Sequence, residues 1–71
     1  MIKIYTITVC PYCNAAKRLL SERGMEFEEI NIEHEGISRE ELVKLTGGRS
    51  VPQIILSGKP IGGYDNLLVL D

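Results

Sequence analysis

The sequence predicts an α/β domain built on one mixed four-stranded sheet, in the order β-α-β-α-β-β-α, with helices on both faces. Three observations predict it. Short β-branched runs alternate with stretches of helical spacing. Proline and glycine punctuate the joints between them, at Pro11, Gly24, Gly47-Gly48 and Gly62-Gly63. Ser57-Gly58-Lys59, where the last two strand-like runs meet, is a tight turn of the kind that makes an antiparallel hairpin. Strands joined by a helix are expected to run parallel, through a right-handed crossover.

The elements follow in order. Ile2, Ile4, Tyr5, Ile7 and Val9 form a strand buried on both faces, stopped by Cys10-Pro11. Proline suits the first turn of a helix, where its missing N–H costs nothing. Ala15, Ala16, Leu19 and Leu20 mark one face of that helix and Lys17, Arg18, Ser21 and Glu22 the other. Gly24 caps its C-terminus. Phe27 to Ile32 reads as a second strand whose glutamates suit a sheet edge. Ser38-Arg39-Glu40-Glu41 has capping-box spacing and opens a second helix, with Leu42 and Leu45 on one face and Gly47-Gly48 at its end. Val51 to Leu56 is the third strand, with Pro52 near its start. Lys59 to Ile61 is the fourth, and Tyr64 to Asp71 begins a last helix that buries Leu67, Leu68 and Leu70.

With 71 residues the chain is read as one domain over 1–71, of a size that buries only about 60% of its unfolded surface. A formal net charge of −2 argues against nucleic acid as a main partner, because phosphate binding needs a basic patch. Glu26, Glu28, Glu29, Glu33 and Glu35 gather apart from Lys17, Arg18 and Arg23, which reads as two solvated faces of opposite sign. No apolar run approaches the roughly 18 residues of a membrane span. Met1 to Val9 is interrupted by Lys3 and too short for a signal core. The expected setting is cytoplasmic, with no membrane partner, and the chain is read as a monomer.

Chemistry concentrates in Cys10-Pro11-Tyr12-Cys13. A secreted domain this small usually carries more cysteines, spread along the chain; one close pair suits a reducing compartment. Cys10 lies where strand turns to helix, facing the free N–H groups of the first turn, which favour a thiolate. Cys13 sits one turn further in, close enough for an unstrained bond. A free thiol with a pKa of about 8.5 is mostly protonated at neutral pH, and lowering that pKa by about 3 units takes about 4 kcal/mol. The helix dipole supplies about 0.3–2 kcal/mol, so direct N–H···S bonds or a nearby cation must add the rest. Cys10, more exposed, is the expected nucleophile; Cys13, more buried, resolves the mixed disulfide. A zinc site would need two further ligands, and the chain offers one histidine, His34, read as a solvated loop residue. No metal is assigned.

The sequence resembles the glutaredoxins over Ile2 to Asp71. Cys10-Pro11-Tyr12-Cys13 follows a first strand, Ser50-Val51-Pro52-Gln53-Ile54 stands at the third, and Gly62-Gly63-Tyr64-Asp65 precedes the last helix. The resemblance implies a thioredoxin-like fold and glutathione as electron donor and co-substrate, with no bound cofactor. It implies that Pro52 is cis beside the cysteines, and that Val51 offers its backbone to an extended ligand as an added strand would. By the same resemblance Tyr12 flanks glutathione, Ser50 and Val51 bind its backbone, and Gly63, Tyr64 and Asp65 hold its γ-glutamyl end. Taken without the resemblance, Gly62-Gly63 reads as a plain turn and Tyr64 as core packing. The implied protein partners are disulfide-bearing substrates, with ribonucleotide reductase a candidate, and a glutathione or thioredoxin reductase system.

Three other functions compete. A redoxin fed by a thioredoxin reductase is kept alive by Ile7, where glutaredoxins commonly have a lysine. An iron–sulfur carrier is disfavoured by Pro11-Tyr12, since cluster-binding relatives usually have Gly-Phe-Ser there. A bare adaptor domain would have no activity as an isolated chain. The family's last helix also usually runs further than Asp71. With isoleucine at position 7, the Cys10 thiolate depends on the helix start alone. Ile7→Lys should therefore move Cys10 ionisation to lower pH and raise turnover with glutathione, read from thiolate absorbance against pH and from a coupled assay. No change in either would point to another cation, with Lys17 the first candidate.

Overall fold

In the computed structural model, which describes residues 1–70, β1 (Ile2–Thr6) lies between β2 (Glu28–Asn31) and β3 (Gln53–Leu56), with β4 (Lys59–Gly62) outside β3. β1 pairs parallel with β2 and antiparallel with β3, and β3 pairs antiparallel with β4. The helices are α1 (Pro11–Glu22), α2 (Ile32–Glu35), α3 (Arg39–Thr46) and α4 (Tyr64–Leu68). Among the described residues no helix is long and apolar enough to cross a membrane.

Strand alternation sends side chains to opposite faces, and both faces are covered. Ile2, Ile4 and Ile54 pack with Ala16 and Leu20 of α1 and Leu67 of α4. Tyr5 packs on the other side with Ile32 of α2 and Leu42 of α3. The mixed sheet with helices on both faces is as the sequence predicts. The hairpin turn also follows: Ser57 and Gly58 both have positive φ, 50° and 83°, as a type I′ turn requires.

Several local expectations are corrected. The helical link between β2 and β3 does not yield parallel strands. β3 enters beside β1 on the side away from β2, so the two never pair and the crossover rule does not fix its direction. The first strand ends at Thr6, and Val9, three residues past its last paired residue, is 83% exposed. The third strand starts at Gln53, after Pro52, rather than at Val51. On α3 the buried stripe is Leu42 and Thr46, four residues apart, while Leu45 is half exposed. Thr46 satisfies its hydroxyl on the Leu42 carbonyl at 2.8 Å. On α4 Leu67 is buried and Leu68 is exposed; the predicted end at Asp71 lies outside the described residues.

His34, expected in a loop, sits on the one-turn helix α2. The Asn31 side chain caps it, accepting from the N–H groups of Glu33 (3.0 Å) and His34 (3.3 Å), and Gly36 ends it at φ 68°. The charges are also less separate than two solvated faces would be. The Lys17 ammonium contacts Glu29 at 3.0 Å. The Arg23 guanidinium donates to the Leu67, Leu68 and Leu70 carbonyls at 3.2, 3.4 and 2.9 Å, tying the end of α1 to that of α4.

Glu29 is the link between sheet and helix on that face. It accepts from the buried Thr6 hydroxyl at 2.7 Å. That bond, aided by Lys17, holds its carboxyl below the ordinary value of 4.5. A carboxylate lowered on folding stabilises the fold above its ordinary value and loses that contribution as pH falls through its folded value. Thermal melts should therefore show stability declining below about pH 4.5. The acid limb should be shallower in Glu29→Gln; identical limbs would remove Glu29 from the acid response.

Candidate active site

The extended backbone of Cys10 (φ −153°, ψ 97°) makes it the N-cap of α1, and Pro11 fills the first helical position. Its Sγ accepts the Cys13 N–H at 3.1 Å, the bond an N-cap serine or aspartate would make with oxygen. The two cysteines form a disulfide across Cα atoms 5.2 Å apart. Cys10 is 8% exposed and Cys13 1%, so what access there is favours Cys10. The donor that caps the sulfur in the disulfide is also placed to stabilise a thiolate there when the bond is reduced.

A groove of about 240 Å³ opens beside this cap. Tyr12, Ser50, Val51, Pro52, Gly63, Tyr64, Asp65 and Asn66 line it. Three separate stretches of chain thus meet, and all seven residues that the resemblance implicates border one space. Tyr12 is 64% exposed, with its ring centroid 5.9 Å from that of Tyr64 at a tilt of 41°. Tyr64 also packs against the core on the α1 side, so lining the groove and core packing are one placement. The Val51–Pro52 bond is cis. Gln53, buried, donates its amide to the Ser50 carbonyl at 2.9 Å and shapes the turn into β3.

Glycines let the two walls approach. A Cβ on Gly63 would lie 3.2 Å from the Pro52 carbonyl oxygen. Gly62 has φ +109°, and a Cβ there would lie 2.5 Å from Asn66 Oδ1. Asn66 is the one groove residue that no sequence motif singles out. Its Oδ1 accepts the Gly63 N–H at 3.2 Å, closing the start of α4 where glycine offers no side chain of its own. The available signal is its place three residues after Gly63, the spacing of a capping box.

Two residues raised as tuning the thiolate have contacts of their own. Ile7 is half-buried against the Tyr5, Ile32 and Leu42 cluster. Lys17 pairs with Glu29 at 3.0 Å. Among the described residues no three His, Cys, Asp or Glu side chains gather as a metal site would need.

A glutaredoxin family model matches residues 2–61. Glutaredoxin 3 of Escherichia coli K12 is 46% identical over 70 residues, covering 99% of this chain and 84% of that protein. The buckwheat glutaredoxin–glutathione complex superposes with a TM-score of 0.84 at 30% identity, over 94% of this chain and 64% of the buckwheat chain. The solution structure of glutaredoxin from Brucella melitensis gives a TM-score of 0.80 at 38% identity, over 97% of this chain and 75% of that one.

The groove wall makes a prediction about stability. Gly62→Ala should cost about 1–3 kcal/mol for its backbone conformation alone, which lowers the melting temperature of so small a domain by about 4–8 °C per kcal/mol. Asn66→Ala should cost only about 0.5–1.5 kcal/mol, the worth of one hydrogen bond. Thermal melts of both variants test this; an unperturbed Gly62→Ala would refute the backbone strain at Gly62.

Proposed function

The chain belongs to the glutaredoxin family and is a thiol–disulfide oxidoreductase, and we propose that it is glutathione-linked, with Cys10 as attacking thiol and Cys13 as resolving thiol. The observation that carries this is the Cys10 sulfur at the helix cap, on the Cys13 N–H and beside the groove. A thiolate at Cys10 attacks one sulfur of a substrate disulfide, and the other sulfur leaves as a thiolate that takes a proton. Cys13, deprotonated, attacks Cys10 Sγ; the Cys10–Cys13 bond forms and the second substrate thiol leaves. Two electrons have passed to the substrate. Two glutathione molecules then restore the dithiol and leave as one oxidised disulfide.

The groove is the site for glutathione. Val51 presents backbone beside Pro52, which cannot donate to a ladder, so an extended peptide pairs there. Tyr12 and Tyr64 give it apolar walls, and the backbone around Gly63 to Asp65 meets its γ-glutamyl end. A buckwheat relative is described in complex with glutathione, which supports the same ligand here. Protein disulfides and glutathione mixed disulfides are the substrates, in the reducing cytoplasm.

One observation favours a second reading. Ile7 stands where a lysine would meet the glycine carboxylate of glutathione, and its side chain is committed to the core. A chain with weakened glutathione binding would be reduced by a thioredoxin reductase instead. NADPH-coupled turnover with each reductase system decides between the two.

Cys10→Ser should abolish turnover of every disulfide substrate. Cys13→Ser should retain turnover of glutathione mixed disulfides, because glutathione can release that intermediate itself, and should lose turnover of protein disulfides. The opposite pattern, Cys10→Ser active and Cys13→Ser dead, would reverse the two roles.

A further inference from the structure

Between the end of β1 at Thr6 and the start of α1 at Pro11 the chain crosses four residues that belong to neither ladder nor helix. Thr8 and Val9 are exposed, yet Cys10 at the end of this link must hold its cap. α2 reaches the link from outside. The Thr8 N–H donates to Glu33 Oε1 at 2.9 Å, and Asn31 Nδ2 donates to Thr8 Oγ1 at a longer 3.4 Å.

Glu33 is presented from a firm base. Its neighbour Ile32 is 3% exposed in the core, Asn31 pairs with Thr6 in the β1–β2 register, and the Asn31 side chain caps the helical turn that carries Glu33. From Thr8 to Cys10 the chain can reach only about 7 Å, so fixing Thr8 limits where the Cys10 sulfur can go.

We propose that Glu33 is a positioning residue for thiol–disulfide exchange: its carboxylate fixes Thr8 and so holds Cys10 at the cap of α1, with Sγ on the Cys13 N–H. This rests on Cys10 being the attacking thiol. Ionised carboxylates make stronger acceptors than neutral groups. The Thr8 N–H, then the Thr8 side chain, with smaller help from His34 and Arg39, keeps the Glu33 carboxyl below its ordinary value. The one-turn helix α2 is the pedestal from which this contact is made.

The test compares Glu33→Ala, Glu33→Gln and wild type as full chains, with circular dichroism to confirm the fold. Two readouts are taken: the pH at which Cys10 becomes half-alkylatable by iodoacetamide, in a Cys13→Ser background, and kcat and KM on a glutathione mixed disulfide. Glu33→Ala should move the alkylation midpoint to higher pH and lower kcat by about two- to tenfold, the worth of one hydrogen bond, with KM little changed. Glu33→Gln keeps an acceptor oxygen and should recover most of both. If Glu33→Ala fails to fold, Glu33→Asp, one methylene too short to reach Thr8, takes its place on the same readouts. A Glu33→Ala protein matching an active wild type overturns the proposal, as does a Glu33→Gln protein as impaired as Glu33→Ala. A wild-type chain whose turnover survives Cys10→Ser would instead overturn the assignment of Cys10, so the two failures are distinguishable.

Discussion

β1 is enclosed on every side: β2 and β3 along its edges, α1 and α4 over one face, α2 and α3 over the other. Four of its five residues are buried, Ile4 and Thr6 completely. A strand packed at the density of a protein interior cannot slide or tilt without opening voids on both faces. Its end is therefore a fixed point, and the first helix begins five residues beyond it. The four-residue link to Cys10 departs from that fixed point, and the Thr8 contact with Glu33 holds it on the way. The parallel register with β2 extends that constraint outward, since it sets where Asn31 and the turn after it can stand.

The cap at Cys10 serves stability and chemistry through one bond. Helices need something at their N-terminus to accept free N–H groups, and serine, threonine, aspartate or asparagine usually does so. Here sulfur does it, at 3.1 Å. The cap accepts best as an anion, so in the proposed mechanism an electrostatic field that any helix provides becomes a means of activating Cys10. Across from it, the groove is assembled from stretches distant in sequence. They meet because β3 lies beside β1 and because Gly63 puts no side chain between Pro52 and α4.

How far the sequence anticipates this structure depends on the kind of signal each element carries. The cysteine pair, the capping box at Ser38 and Glu41, and the Ser57-Gly58 turn rest on local chemistry and stand where their residues imply. Leu45 and Leu68 look like core residues, but a helix of eight or five residues buries a stripe too narrow to include every leucine. Val9 extends the apolar run of the first strand, and only the absence of a pairing partner leaves it in water. α2 is illegible from propensity because four residues give no period; its signal is Asn31, whose side chain makes the cap. Asn66 and Glu33 act on residues in other elements or on backbone N–H groups, which hydrophobic patterning does not report. Seven of the eight groove residues are singled out by family resemblance, whereas Cys10 and Cys13 follow from physical argument as well.

α4 has five residues and one fully buried side chain, Leu67. So short a helix has no stability of its own in water; it is held by Leu67, by the Asn66 cap at one end and by Arg23 on three carbonyls at the other. Such a unit opens locally at far less free energy than the sheet, and its amides exchange with solvent accordingly. Since α4 forms one wall of the groove, a ligand that needs that wall binds only the closed state and withdraws it from the opening equilibrium. Occupancy of the groove and protection of the α4 amides are thus two measures of a single equilibrium, and Arg23, which does not line the groove, helps to set its midpoint.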